Sequence, residues 1–97
     1  MNAKEKGKRT ERELVRIFKK AGLNAKRVPL SGSTDFAKGD VVVEGLVIEV
    51  KRRKKGFKKL YDWLEGFDAL AIREDKKGFL IVLPLEKFVE LLGRGKG

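Results

Sequence analysis

The sequence predicts an α/β chain of the mixed α+β type: one small mixed central β-sheet flanked by helices, in the order αβββαββα. Three observations predict it. Leu14, Val15, Phe18 and Ala21 recur at helical spacing, two β-branched runs flank Glu44-Gly45, and a second pair of apolar runs precedes an amphipathic C-terminal stretch. With 97 residues the chain can bury one core, so a single domain over 1–97 is expected.

The first helix is expected over residues 3–21, with Gly22 as its C-terminal stop. Two capping boxes compete for its start, Asn2 with Glu5 and Thr10 with Glu13, and both keep Glu11 helical. Residues 24–29 read as a short edge strand, and Ser31-Gly32-Ser33-Thr34-Asp35 as a loop of turn formers. Asp40–Val43 and Leu46–Lys51 form a hairpin whose turn is Glu44-Gly45. A helix follows over 57–67, carrying Phe57, Leu60, Tyr61 and Leu64 on one stripe. Ala69–Ile72 and Phe79–Leu83 make a second hairpin. Pro84 opens a last helix that Gly93 should stop, leaving a frayed tail over 94–97. Trp63 and Phe67, one helical turn apart and partly off the stripe, suit either the core or a partner.

Two missing residue types narrow the chemistry. With no cysteine, disulfides, zinc–thiolate sites and thiol nucleophiles are excluded. With no histidine, imidazole catalysis and histidine-ligated metals go too, so a metal must be held by oxygen: Mg²⁺, Mn²⁺ or Ca²⁺. No run approaches the roughly 18 apolar residues of a membrane span, and the N-terminus has no signal-peptide core. An intracellular, cytoplasmic protein is expected.

Charge points to the partner. Lys and Arg number 24 against 14 Asp and Glu, a net +10, with a dense run at Lys51-Arg52-Arg53-Lys54-Lys55 and Lys58-Lys59. A charge-rich, heat-adapted surface is the bland alternative, and the lack of glutamine suits it. Such surfaces balance their signs more evenly, so nucleic-acid phosphates are the expected partner.

The hairpin gathers the chemistry. A two-residue turn at Glu44-Gly45 sets Val41 opposite Ile48 and Asp40 opposite Glu49, while alternation brings Lys51 to the face of Glu49. Two opposed carboxylates repel, and a divalent cation would bridge them. A third acid lies on the first helix. Glu11 precedes Leu14, Val15 and Phe18 by three, four and seven residues and faces the sheet, whereas Glu13 aligns with Arg16, Ile17 and Lys20 toward the flank.

"GDVVVEGLVIEVK" resembles motifs II and III of the PD-(D/E)XK nuclease superfamily, as Asp40 and then Glu49-Val50-Lys51. "KGKRTERELVRIF" followed by "VPLSGS" resembles the opening of archaeal-type Holliday junction resolvases and their small phage relatives. Glycine-aspartate stands where the superfamily has proline-aspartate, and Thr34–Lys38 lengthens the segment before Asp40. The resemblance implies a restriction-endonuclease-like fold and a Mg²⁺-dependent endodeoxyribonuclease, with Mn²⁺ as an alternative metal, acting on four-way DNA junctions as a homodimer. Asp40, Glu49 and the Val50 carbonyl would bind the metal, and Glu11 would join through a water. Lys51 would orient or activate the attacking water, and Ser31 or Ser33 would contact the phosphate. Lys8, Arg9, Arg27 and the two serines are expected to meet the nucleic acid, together with Lys51, Arg52, Arg53, Lys54, Lys55 and Lys58. A nuclease for flaps, nicks or duplex DNA, and a non-catalytic binding module of the same fold, remain alternatives.

Overall fold

The computed structural model describes residues 3–28 and 40–95. The fold class and the order αβββαββα are those the sequence predicts: α1 Ala3–Lys20, β1 Ala25–Arg27, β2 Val41–Val43, β3 Leu46–Ile48, α2 Lys58–Leu64, β4 Leu70–Ile72, β5 Leu80–Val82 and α3 Leu85–Gly95. Among the described residues the strands form two antiparallel sheets, β1-β2-β3 and β4-β5, where one mixed sheet was expected. Both hairpins close locally, and the basic stretch after β3 carries no strand to join them. The chain divides into two compact units, Met1–Arg52 and Arg53–Gly95.

In the first unit α1 packs against β1 and β2. Val15 and Phe18 from the helix meet a core completed by Leu23, Ala25, Val28, Val41 and Val43. Phe18, Val41 and Val43 are wholly buried, and each such side chain contributes about 1.5–3 kcal/mol of apolar burial. The helix ends as its glycine requires. Gly22 has φ 84°, its N–H donates to the Lys19 carbonyl at 2.9 Å, and Leu23 N–H donates to Phe18 O at 3.0 Å. These are the two bonds of a Schellman cap, and the two positions that such a cap pairs, Phe18 and Leu23, are both buried. The start is settled against one of the two capping boxes. Thr10 lies inside the helix, and its hydroxyl donates back to Lys6 O at 2.8 Å; Asn2 lies outside the described residues.

The first hairpin has the register the turn dictates: Val41 opposite Ile48, Val42 opposite Val47, Val43 opposite Leu46. Glu44 (φ 46°) and Gly45 (φ 81°) both take left-handed backbone, as a type I′ turn demands. Glutamate is a poor residue there, and a tertiary tie offsets its cost. Asn24 N–H donates to the Glu44 carboxylate at 2.6 Å, and Glu44 N–H donates to Asn24 O at 2.8 Å.

In the second unit β4 and β5 pair with Leu70 opposite Val82 and Ile72 opposite Leu80. Helix α2 stops at Leu64, short of the expected 67, because Glu65 turns to ψ 125°. Helix α3 runs through Gly93 to Gly95, past the stop the sequence suggested. Gly93 is not needed in a left-handed turn there, and Arg94 pairs with Glu90 one turn back. Trp63 and Phe67 are exposed rather than buried, at 54% and 70%.

Candidate active site

The hairpin's open end builds the site. Asp40 sits one residue before β2, and its backbone is held from both sides. Its carbonyl accepts from Val28 N–H and its own N–H donates to Ile48 O, both at 2.9 Å. Because that N–H goes to Ile48, the ladder ends there, and residues 49–51 are not a strand as the sequence suggested. The Asp40 carboxylate instead accepts the freed amide of Val50 at 2.8 Å. The site aspartate therefore also terminates β3.

Glu49 stands beside it. A hydrogen bond that the protonated Glu49 carboxyl donates to Asp40, and then the repulsion of the Asp40 charge, hold Glu49 above the ordinary 4.5; partial loss of water adds to this, Lys51 opposes it, and Glu11 adds a smaller push upward. The Lys51 ammonium lies 3.9 Å from Glu49 Oε1, with both side chains largely in solvent. Asp40, Glu49 and Lys51 are thus neighbours.

Glu11 is placed differently. Its Oε1 lies 3.0 Å from Arg27 Nε, and its side chain is only 16% exposed. Arg27 is therefore engaged with an acid of the first helix. Strand alternation could have shown this, since Arg27 follows the buried Ala25 by two residues and shares its helix-facing side. Among the described residues no three acidic side chains stand close enough to hold a metal together. Asp40 and Glu49 nonetheless suit a dication, because the mutual repulsion that raises Glu49 is what such a charge relieves.

The expected nucleic-acid contacts vary in their surroundings. Arg52 Nη1 donates to Thr10 Oγ1 at 3.1 Å, tying the segment after Lys51 to α1, a contact the sequence did not suggest. Arg53 lies over the Phe57 ring at 5.5 Å. Lys58 pairs with Asp62 at 2.7 Å. Lys54, Lys55 and Arg9 are exposed and Lys8 is half-buried. Ser31 and Ser33, like Asp35, lie outside the described residues.

The family model described as archaeal Holliday junction resolvase (hjc) matches residues 2–87 of the 97. The chain belongs to the archaeal Holliday junction resolvase family. Searches of curated proteins and of solved structures found no match. Membership supports a resolvase-type nuclease acting on Holliday junction DNA, in recombination and repair. In this resolvase the matched span contains Glu11, Asp40, Glu49 and Lys51, together with the basic run after β3. Among the described residues no helix is long and apolar enough to cross a membrane.

Proposed function

We propose that this resolvase is a Mg²⁺-dependent, structure-selective endonuclease that cuts four-way DNA junctions, with Asp40, Glu49 and Lys51 as its catalytic residues. The observation that carries the reading is the raised carboxyl of Glu49 beside Asp40, with the Lys51 ammonium 3.9 Å away. Asp40 and Glu49 hold the cation, with the Val50 carbonyl and, less directly, Glu11; Mn²⁺ suits the same oxygens. Bound there, the cation supplies neutralising charge at the scissile phosphate and a more acidic water.

The remaining steps belong to the chain. Asp40 is locked by three hydrogen bonds, so its carboxylate is oriented before substrate arrives. Lys51 orients the attacking water and stabilises charge developing on the phosphate. Arg27 holds Glu11 toward the site. Ser31 or Ser33 contacts the phosphate, and Lys8, Arg9, Arg52, Arg53, Lys54, Lys55 and Lys58 hold the arms by charge. Shape, not base sequence, is read through these phosphate contacts. The working form is a homodimer, since a four-way junction must be cut in two symmetry-related strands; the exposed Trp63 and Phe67 suit its interface.

Cleavage of labelled four-way, flap and linear DNA with Mg²⁺ tests the proposal. The wild-type protein should cut the junction preferentially, and Asp40→Ala and Glu49→Ala should abolish cutting while leaving junction binding. Equal cutting of linear DNA would replace junction selectivity with a general repair nuclease. Full activity in both variants would overturn the site.

A further inference from the structure

We infer that the outer face of α1 is a separate duplex-binding surface, on which Arg12, Arg16, Lys19 and Lys20 extend from Arg9 along the phosphates of one DNA arm. This rests on the reading of the protein as a DNA nuclease, but not on which residues cut.

The placement follows from helical spacing. Arg9, Arg12, Arg16 and Lys19 or Lys20 recur at steps of three and four, on the side of α1 opposite the buried Phe18. All five are exposed. At 1.5 Å per residue, Arg9 to Lys19 spans about 15 Å of helix. Phosphates follow one another about every 3.4 Å along the axis of each strand, so the stripe can meet several.

What separates this face from an ordinary solvated one is that its arginines make no ion pair among the described residues. Helix α3 neutralises its charges at short range, Lys87 with Glu90 at 3.4 Å and Arg94 with Glu90. Helix α2 does the same with Lys58 and Asp62 at 2.7 Å. Glu13 stands at pairing distance in sequence from both Arg9 and Arg16, yet among the described residues neither arginine, nor Arg12, makes an ion pair. The helix Ala3–Lys20 holds eight Lys and Arg against three Glu, a net of 8 − 3 = +5. Unpaired like charges at such spacing cost a helix stability. A polyanion offsets that cost, and guanidinium groups grip phosphate in a bidentate way. The surface is distinct in sequence from the basic run after β3.

The test is fluorescence anisotropy with a labelled four-way junction and a labelled linear duplex, in chelator, across a salt series. Arg12→Gln/Arg16→Gln should lower the slope of log affinity against log salt by about 2 and weaken binding on the order of 10- to 100-fold near 0.1 M salt. Arg12→Lys/Arg16→Lys should keep most of the slope. Lys19→Gln/Lys20→Gln repeats the measurement should the arginine variant melt early. Wild-type slope and affinity in the glutamine variants, from a protein that cuts junctions with Mg²⁺, would overturn this surface and leave the nuclease reading intact. A wild-type protein that neither binds nor cuts any of these DNAs would overturn both.

Discussion

The carboxylate of Asp40 accepts the amide of Val50 at 2.8 Å. One side chain thus ends a strand, orients itself, and holds the backbone between Glu49 and Lys51. Asp40→Asn keeps an acceptor for that amide and removes the charge. The variant should fold with a thermal midpoint near that of the parent and lose Mg²⁺ binding, read by calorimetry, along with cleavage. Asp40→Ala also frees the amide, and should cost about 1 kcal/mol more in urea unfolding.

Lys51 separates catalysis from stability. Its ion pair with Glu49 is long and solvated, and such pairs contribute roughly 0–1 kcal/mol. Lys51→Ala should leave the melting temperature and metal affinity nearly unchanged. Single-turnover cleavage should fall on the order of 100- to 1,000-fold, as expected for a lost electrostatic stabiliser. A large melting shift with normal cleavage would make the lysine structural.

The raised Glu49 carboxyl has a definite pH signature. Between the ordinary 4.5 and its higher folded value, the native state binds more protons than the unfolded one. Stability from this group is therefore present below 4.5 and lost as pH rises through the folded value. Carboxyl NMR should show Glu49 titrating above 4.5, and Asp40→Asn should lower that midpoint by removing the neighbouring charge. Mg²⁺ should lower it too, since metal and proton compete for the same oxygens.

Arg27 and Glu11 should behave as a unit. Arg27→Ala leaves a largely covered carboxylate without its cation, at a cost of about 1–3 kcal/mol in unfolding free energy. Glu11→Gln in the Arg27→Ala background should recover part of that loss. Strict additivity in the double-mutant cycle would mean the two do not interact.

The hairpin turn sets the register of the site. Gly45 is held at φ 81°, so Gly45→Ala should destabilise the fold by roughly 1 kcal/mol. Gly45→Asn, which tolerates that backbone, should cost less by the same melting assay.

Local rules were enough for much of this molecule. The element order, the Gly22 cap and the register through Glu44-Gly45 follow from helical spacing, strand alternation and turn geometry, each acting over a few residues. Strand pairing also predicted Glu49 beside Asp40 and Lys51 beside Glu49; the folded chain has Lys51 next to Glu49 although residues 49–51 have left the strand. Contacts between residues distant in sequence needed the folded chain. Arg27 finds Glu11 across 16 positions and Arg52 finds Thr10 across 42. The strand after Ile48 stops because Asp40 turns its N–H to that carbonyl and its carboxylate to Val50. A β-branched sequence run cannot show this, since Val50 has the same strand preference whether or not a neighbour takes its amide. The sheet pairing was likewise decided at the tertiary level, since strand propensity says that a segment will pair but leaves its partner to packing.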